Sequence, residues 1–164
     1  MSSQQIACRL MAAPDLGGVA AMYQELQAYH GYAQDSLDSL SEQLRGMDQS
    51  FEVVGAEQEG RLLGFALFSV YPGPGLHSGM FLKELFVTAE ARGLGVGKRL
   101  MGSLAAIAQE RGYQRIDLTT QNNNAPARAF YERLGGRQDQ ARVFYRFDAQ
   151  TIEAIAGDVL DEDG

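Results

Sequence analysis

The chain has one cysteine, Cys8, and no tryptophan among 164 residues. A single thiol rules out an intrachain disulfide and any multi-cysteine metal cluster, and it fits a reducing compartment. No apolar run approaches the roughly 20 residues that a membrane-spanning helix needs. The N-terminal MSSQQIACRL has neither a basic opening nor a long apolar core, so no secretory signal is expected. Basic charge is also short: 14 Lys and Arg stand against 21 Asp and Glu, a formal net charge of −7. Nucleic-acid binding needs a basic face, so neither a nucleic-acid nor a membrane partner is expected, and the expected location is the cytoplasm. An acidic balance suits a cationic substrate. Neither an internal repeat nor a linker divides the sequence, so it reads as a single domain over 1–164, with about 158–164 a frayed tail.

What is present is an alternation of strand-like and helix-like segments. Ile6 to Met11 suits a short strand. Pro14-Asp15 opens a helix carrying Leu16, Val19, Tyr23 and Leu26 at helical spacing, with Asp15 at the turn where an anion is favoured. Leu37, Leu40 and Leu44 predict a second helix over about 36–46. The stretches 51–57 and 61–71 read as strands joined by the turn signal QEG, and PGPGLHSG (72–79) as a loop. FLKELFVT (81–88) is the next strand and KRLMGSLAAIAQE (98–110) the body of a helix starting at about 96. YQRIDLTT (113–120) is strand-like. NNN (122–124) leads into a helix over 125–134, stopped by Gly135-Gly136, and RVFYRFD (142–148) reads as a final strand. The order β-α-α-β-β-β-α-β-α-β predicts an α/β protein with a mixed sheet covered by helices.

RGLGVG (92–97) places three glycines between a strand and a helix, with a cation on each side. It is not a Walker A loop, because Arg92 stands where the first glycine belongs and Arg99 where Ser or Thr does. It is not a G-x-G-x-x-G fingerprint either, because Lys98 and Leu100 occupy the third glycine position in the two possible registers. A glycine turn feeding a helix N-terminus still offers unpaired N–H groups and a partial positive charge, which together bind phosphate. A plain strand-to-helix turn is the alternative, and spacing alone leaves both open.

R-x-x-G-x-G at 92–97, after FLKELFV and before an apolar-striped helix, resembles motif A of the Gcn5-related N-acetyltransferases. NAPARAFYERLG (124–135) is similar to the second signature of that family. YQELQAYHGY (23–32), GFALFSVYPG (64–73), LKELFV (82–87) and FYRFD (144–148) resemble the branch holding spermidine/spermine and thialysine N-acetyltransferases. The resemblance implies a mixed, mostly antiparallel sheet of about six to seven strands flanked by helices, with a V-shaped splay between two parallel strands, here 81–88 and 113–120. It also implies acetyl-CoA as cosubstrate, no metal, a small-molecule amine acceptor and a homodimer to which RVFYRFD could contribute. Protein or aminoglycoside acetylation, and a non-catalytic acyl-CoA-binding domain, stay open as alternatives.

Residue by residue, the resemblance puts the cofactor pyrophosphate on the backbone of Arg92, Gly93, Leu94, Gly95, Val96, Gly97 and Lys98. The pantetheine arm would pair with Leu85, Phe86 and Val87 as an added strand. Asn124 would hold it from the second side, with Ala125, Pro126 and Ala127 beside it. Tyr131 matches the tyrosine that serves as general acid for the leaving thiolate. The acceptor problem is protonation: a lysine-like amine has a pKa of about 10.4, so about one molecule in a thousand is neutral at pH 7.4, and a base must take the proton. Glu84 is the candidate, since a carboxylate inside an apolar strand is costly without a task or a partner. Strict alternation puts Glu84 on one face with Leu82 and Phe86, with Lys83 on the other; a salt bridge is the alternative role. Tyr29, His30, Lys83 and Glu84 are the candidate acceptor residues, with Tyr32, Asp35 and Asp38 nearby. Polyamine acetylases of this branch carry two adjacent acids where this chain has Lys83-Glu84, and an acid where it has His30. That reversal of charge favours an amine bearing an acid group over a polyamine. Cys8 reads as a small buried hydrophobe, and His77 in the PGPG loop as exposed or bordering the acceptor site.

Overall fold

The computed structural model describes residues 5–12, 15–47, 50–72 and 78–162; His77, Pro14 and the tip of the PGPG loop lie outside them, and in 158–162 only the backbone is described. The chain divides into two compact units, 1–119 and 120–164.

The first unit is built on one five-stranded sheet, ordered β1 (Ala7–Leu10), β2 (Glu52–Gln58), β3 (Arg61–Pro72), β4 (Ser78–Val87) and β5 (Ile116–Leu118). The first three pairings are antiparallel and β4–β5 is parallel. The sheet is thus mixed and mostly antiparallel as expected, but its five strands fall short of six to seven.

Alternation sorts the strand residues onto two faces. Val53, Phe65, Leu67 and Phe86 pack with Val19, Ala20, Met22 and Leu26 of α1 (Leu16–His30) and Leu40 and Leu44 of α2 (Leu37–Gly46). The hydroxyl of Ser36 caps α2 by accepting from the Ser39 N–H at 3.1 Å. The opposite face carries Val54, Ala66 and Phe68, and α3 (Val96–Glu110) buries Val96, Leu100, Leu104 and Ala108 along its length. Asp15 starts α1 without capping it. Its carboxylate instead accepts from the Ala12 N–H (2.9 Å) and pairs with Arg9 (3.0 Å), which holds it below the usual carboxylate range.

The second unit holds α4 (Ala125–Arg133) and α5 (Ala149–Glu162). One expectation is corrected here. Residues 142–148 form no strand, and Val143, Phe144, Tyr145 and Phe147 are exposed. β-Propensity describes fitness for a pleated, paired surface, and the described part of this unit contains helices but no second strand. α5 runs to Glu162, so helical backbone reaches into the 158–164 expected as a tail. The signal passed over there is Asp148, whose carboxylate accepts from the Thr151 N–H at 2.8 Å and hydroxyl at 2.7 Å at the start of α5.

Candidate active site

The site begins with an irregularity in β4. Leu67 pairs with Glu84 and Phe68 with Leu82, so Lys83 is an extra residue, a β-bulge. Directly paired residues share a face. Leu67 and Phe65 belong to the α1–α2 side, so Glu84 and Phe86 do too, whereas Leu82 follows Phe68 to the α3 side. The expectation that Glu84 shares a face with both Leu82 and Phe86 is therefore half wrong, because the bulge resets the alternation between positions 82 and 84. The parallel ladder stops at the same place: β4 meets β5 only at Met80–Leu82 against Ile116–Leu118, and β4 runs on to Val87 paired through β3 alone. β5 is accordingly shorter than the 113–120 expected. Leu85, Phe86 and Val87 lie in that stretch beyond the ladder, on the strand edge where an extended pantetheine arm could add.

Glu84 is half-buried, and burial raises its carboxyl above the ordinary carboxylate range, against opposing pulls from Lys83 and His30. Tyr23 of α1 is the residue that sequence reasoning missed. Its hydroxyl is pushed up by burial and by the nearby charge of Glu84, and its ring lies 5.1 Å from Phe65. Its helical spacing marked it only as core. Tyr29, His30 and Tyr32 form an aromatic strip at the end of α1: Tyr29 meets His30 edge-on at 5.1 Å, and His30 stacks on Tyr32 at 5.5 Å. Lys83 is exposed at the bulge. Asp35 is tied back to α1 by the Gln27 amide, which donates to it at 2.8 Å.

From Val87 the chain passes a 3-10 turn at Ala89–Ala91 into the glycine loop. Gly93 and Gly95 have φ of 80° and 77°, which L side chains rarely adopt, and a Cβ at either would meet nothing within 4 Å. The loop is thus shaped by left-handed backbone and open on its outer side. Gly95 opens α3, whose first helical hydrogen bond runs from the Arg99 N–H to the Gly95 carbonyl, so the amides of Val96, Gly97 and Lys98 have no partner within the helix. Gly64 sets this helix end against the strand: a Cβ there would lie 2.6 Å from the Phe86 carbonyl oxygen and 3.2 Å from Val96 Cγ1. A left-handed loop, free first-turn amides and an unladdered strand edge fit a diphosphate with an extended arm. Of the three expected cations, Arg99 reaches the Ile6 carbonyl (3.5 Å) and Arg92 turns to Tyr29, leaving Lys98 in the first turn.

In the second unit, Asn124 caps α4, its Oδ1 accepting from the Ala127 N–H at 3.2 Å. Ala125 donates to the Asn123 carbonyl (3.0 Å), and Pro126 has no N–H. Over residues 124–127 the donors left for a ligand are therefore on the Asn124 side chain. Tyr131 is half-buried and lies edge-on to Phe130 at 5.1 Å.

Comparison with known proteins agrees with this geometry. Residues 19–136 match the acetyltransferase (GNAT) family, and the chain belongs to it; the family's members are acyltransferases that use acetyl-CoA. The chain is 35% identical over 96 residues to a mycothiol acetyltransferase of Arthrobacter, which covers 57% of this chain but only 29% of that protein's length. It is 24% identical over 158 residues to the thialysine N-epsilon-acetyltransferase of Sus scrofa, covering 87% of this chain and 92% of that one. Among solved structures, an integron cassette protein from the mobile metagenome of V. cholerae superposes with a TM-score of 0.83 at 29% identity, covering 92% of this chain and 97% of the other. Among the described residues, no helix is long and apolar enough to cross a membrane.

Proposed function

We propose that the protein transfers an acetyl group from acetyl-CoA to the primary amine of a small, lysine-like molecule that also carries an acidic group. The observation that carries this reading is Glu84: a half-buried carboxylate at the bulge where the parallel ladder ends, on the face shared with α1 and just before the glycine loop. When bound, acetyl-CoA supplies the thioester carbonyl and the leaving thiolate. Glu84, through a water, takes the proton of the ammonium, and its raised proton affinity brings it closer to the operating pH, where a general base works best. Lys83 at the bulge provides a cation for the acceptor's acid group, and His30 at the end of α1 a ring nitrogen for hydrogen bonding. The distant likeness to thialysine N-epsilon-acetyltransferase supports the substrate class. Tyr131, on the strength of its motif, donates a proton to the departing sulfur. The exposed Val143, Phe144, Tyr145 and Phe147 support a homodimer, measurable by light scattering. The acidic composition and single cysteine support a cytoplasmic location.

The test is thiol release from acetyl-CoA across spermidine, putrescine, lysine, thialysine and an aminoglycoside, with wild type and Glu84→Gln. Turnover of lysine or thialysine above the diamines, depressed in the variant at neutral pH, is the expected result. Acetyl-CoA binding with no amine acetylated would leave the fold assignment intact and end the small-amine reading.

A further inference from the structure

Arg92 opens the glycine loop, and its place in the motif predicts a contact with phosphate. Its side chain instead lies toward the acceptor side of the sheet. The guanidinium carbon sits 4.4 Å from the centroid of the Tyr29 ring and 5.9 Å from that of Phe86. Its Nε–H donates to the Val87 carbonyl at 3.3 Å. Two rings from different elements, one at the end of α1 and one on β4, therefore share one cation, and the backbone of β4 fixes where that cation stands. Tyr29 is 63% exposed, and the contacts its ring makes are this one with Arg92 and the edge-on contact with His30. Beyond Tyr29 the strip continues through His30 to Tyr32. His30 lies close enough to Glu84 for its charge to pull against the burial effect, so the end of the strip returns to the carboxylate. Phe86 closes the circuit, being two positions from Glu84 on the same face.

We infer that Arg92 is a positioning residue for the amine acceptor: by clamping the Tyr29 ring against Phe86 and the Val87 carbonyl, it fixes the end of α1 as the wall of the acceptor site opposite Glu84. The glycine loop then has two separate tasks. Its backbone amides face the cofactor phosphates, while the side chain of its first residue organises the acceptor site. Arginine suits the second task because a planar guanidinium stacks on an aromatic face while donating in its own plane. Glutamine keeps a donor for Val87 but loses the charge, and lysine keeps the charge but loses the plane.

This inference rests on the acetyltransferase reading above, and its test separates the two. Affinity for acetyl-CoA, and affinity for lysine or thialysine in the dead-end complex with free CoA, are measured by calorimetry on wild type, Arg92→Gln, Tyr29→Leu and the double variant, alongside KM for both substrates. Cation–π contacts of ~0.5–2 kcal/mol correspond to roughly 2- to 30-fold in affinity. Each single variant is expected to weaken amine binding and raise its KM within that range while leaving acetyl-CoA affinity unchanged. The double variant should be no worse than the poorer single one, because the two residues share one interaction. Arg92→Lys should restore amine binding in part. Loss of acetyl-CoA affinity in Arg92→Gln with amine binding intact would overturn the inference and return Arg92 to the phosphates, as would simple additivity of the two substitutions. If wild type transfers no acetyl group, the catalytic reading falls, and the calorimetric comparison still decides the role of Arg92.

Discussion

Replacing Glu84 by glutamine should make the protein slower and, at neutral pH, more stable. Burial raises the Glu84 carboxyl above the ordinary carboxylate range, and Lys83 and His30 offset this only in part. The folded state therefore holds the Glu84 proton more tightly than the unfolded chain does. The sign follows from linkage. The stabilisation due to this group is complete below its unfolded pKa of about 4.3 and is lost as pH rises through the folded value. Above that, the fold carries an ionised, half-buried carboxylate. Glutamine has the same shape and no charge, so the melting temperature of the variant should match wild type near pH 4 and exceed it at pH 7–8. Each tenfold difference in proton affinity between folded and unfolded states is about 1.4 kcal/mol, and ~1 kcal/mol moves the melting temperature of a chain this size by roughly 2–4 °C. Scanning calorimetry from pH 4 to 8 reads the effect. Over the same range kcat/KM should drop by about 100-fold at neutral pH, the lower end of what a positioned base contributes. The deficit should shrink tenfold per pH unit as the free amine becomes abundant toward its pKa of ~10.4. A variant less stable than wild type at pH 8, or a rate deficit independent of pH, would refute this account: the first would mean that Glu84 has an ionic partner, the second that it is not the base.

Three further outcomes are expected. Lys83→Glu restores a pair of adjacent acids at the bulge and should shift the ratio of kcat/KM toward spermidine and away from lysine, with little change in melting temperature because position 83 is exposed; an unchanged ratio in the amine panel would remove Lys83 from the acceptor site. Gly64→Ala drives a Cβ to 2.6 Å from the Phe86 carbonyl oxygen and should cost about 1–3 kcal/mol by overpacking, seen in chemical denaturation, and should weaken acetyl-CoA more than amine because α3 is pushed off the strand. Leu104→Ala empties a fully buried position under α3 and should cost about 2–5 kcal/mol, measured by the same denaturation, with KM values unchanged in the fraction that remains folded.

Much of the first unit could be read along the chain because its signals are local. The helix at 96–110 is announced by glycines before it and by Leu100, Leu104 and Ala108 at helical spacing, and α3 spans Val96–Glu110. The QEG turn joins β2 to β3 with a two-residue connection, Glu59-Gly60. Motif A lies on a strand–turn–helix, as its resemblance implied. What failed were the features set by a partner. FLKELFV alternates cleanly as a string, and nothing in it marks Lys83 as an extra residue; the bulge exists because β3 offers Leu67 and Phe68 to Glu84 and Leu82. RVFYRFD has strand-forming residues, but a strand requires another strand beside it.

The residues of Arg92 and Tyr23 show the same division. Their types and positions are in the sequence, and each has an ordinary reading there, phosphate contact for one and core packing for the other. The glycine turn before a helix and the acid inside an apolar strand are legible along the chain, and the resemblance of residues 92–97 and 124–135 to known motifs pointed to the family, because each of these signals is encoded within a few residues of itself. Which way Glu84 faces, that Tyr23 lies within reach of its charge, and that the Arg92 side chain meets Tyr29 depended on register and packing between elements far apart in the chain, and only the tertiary structure decided those.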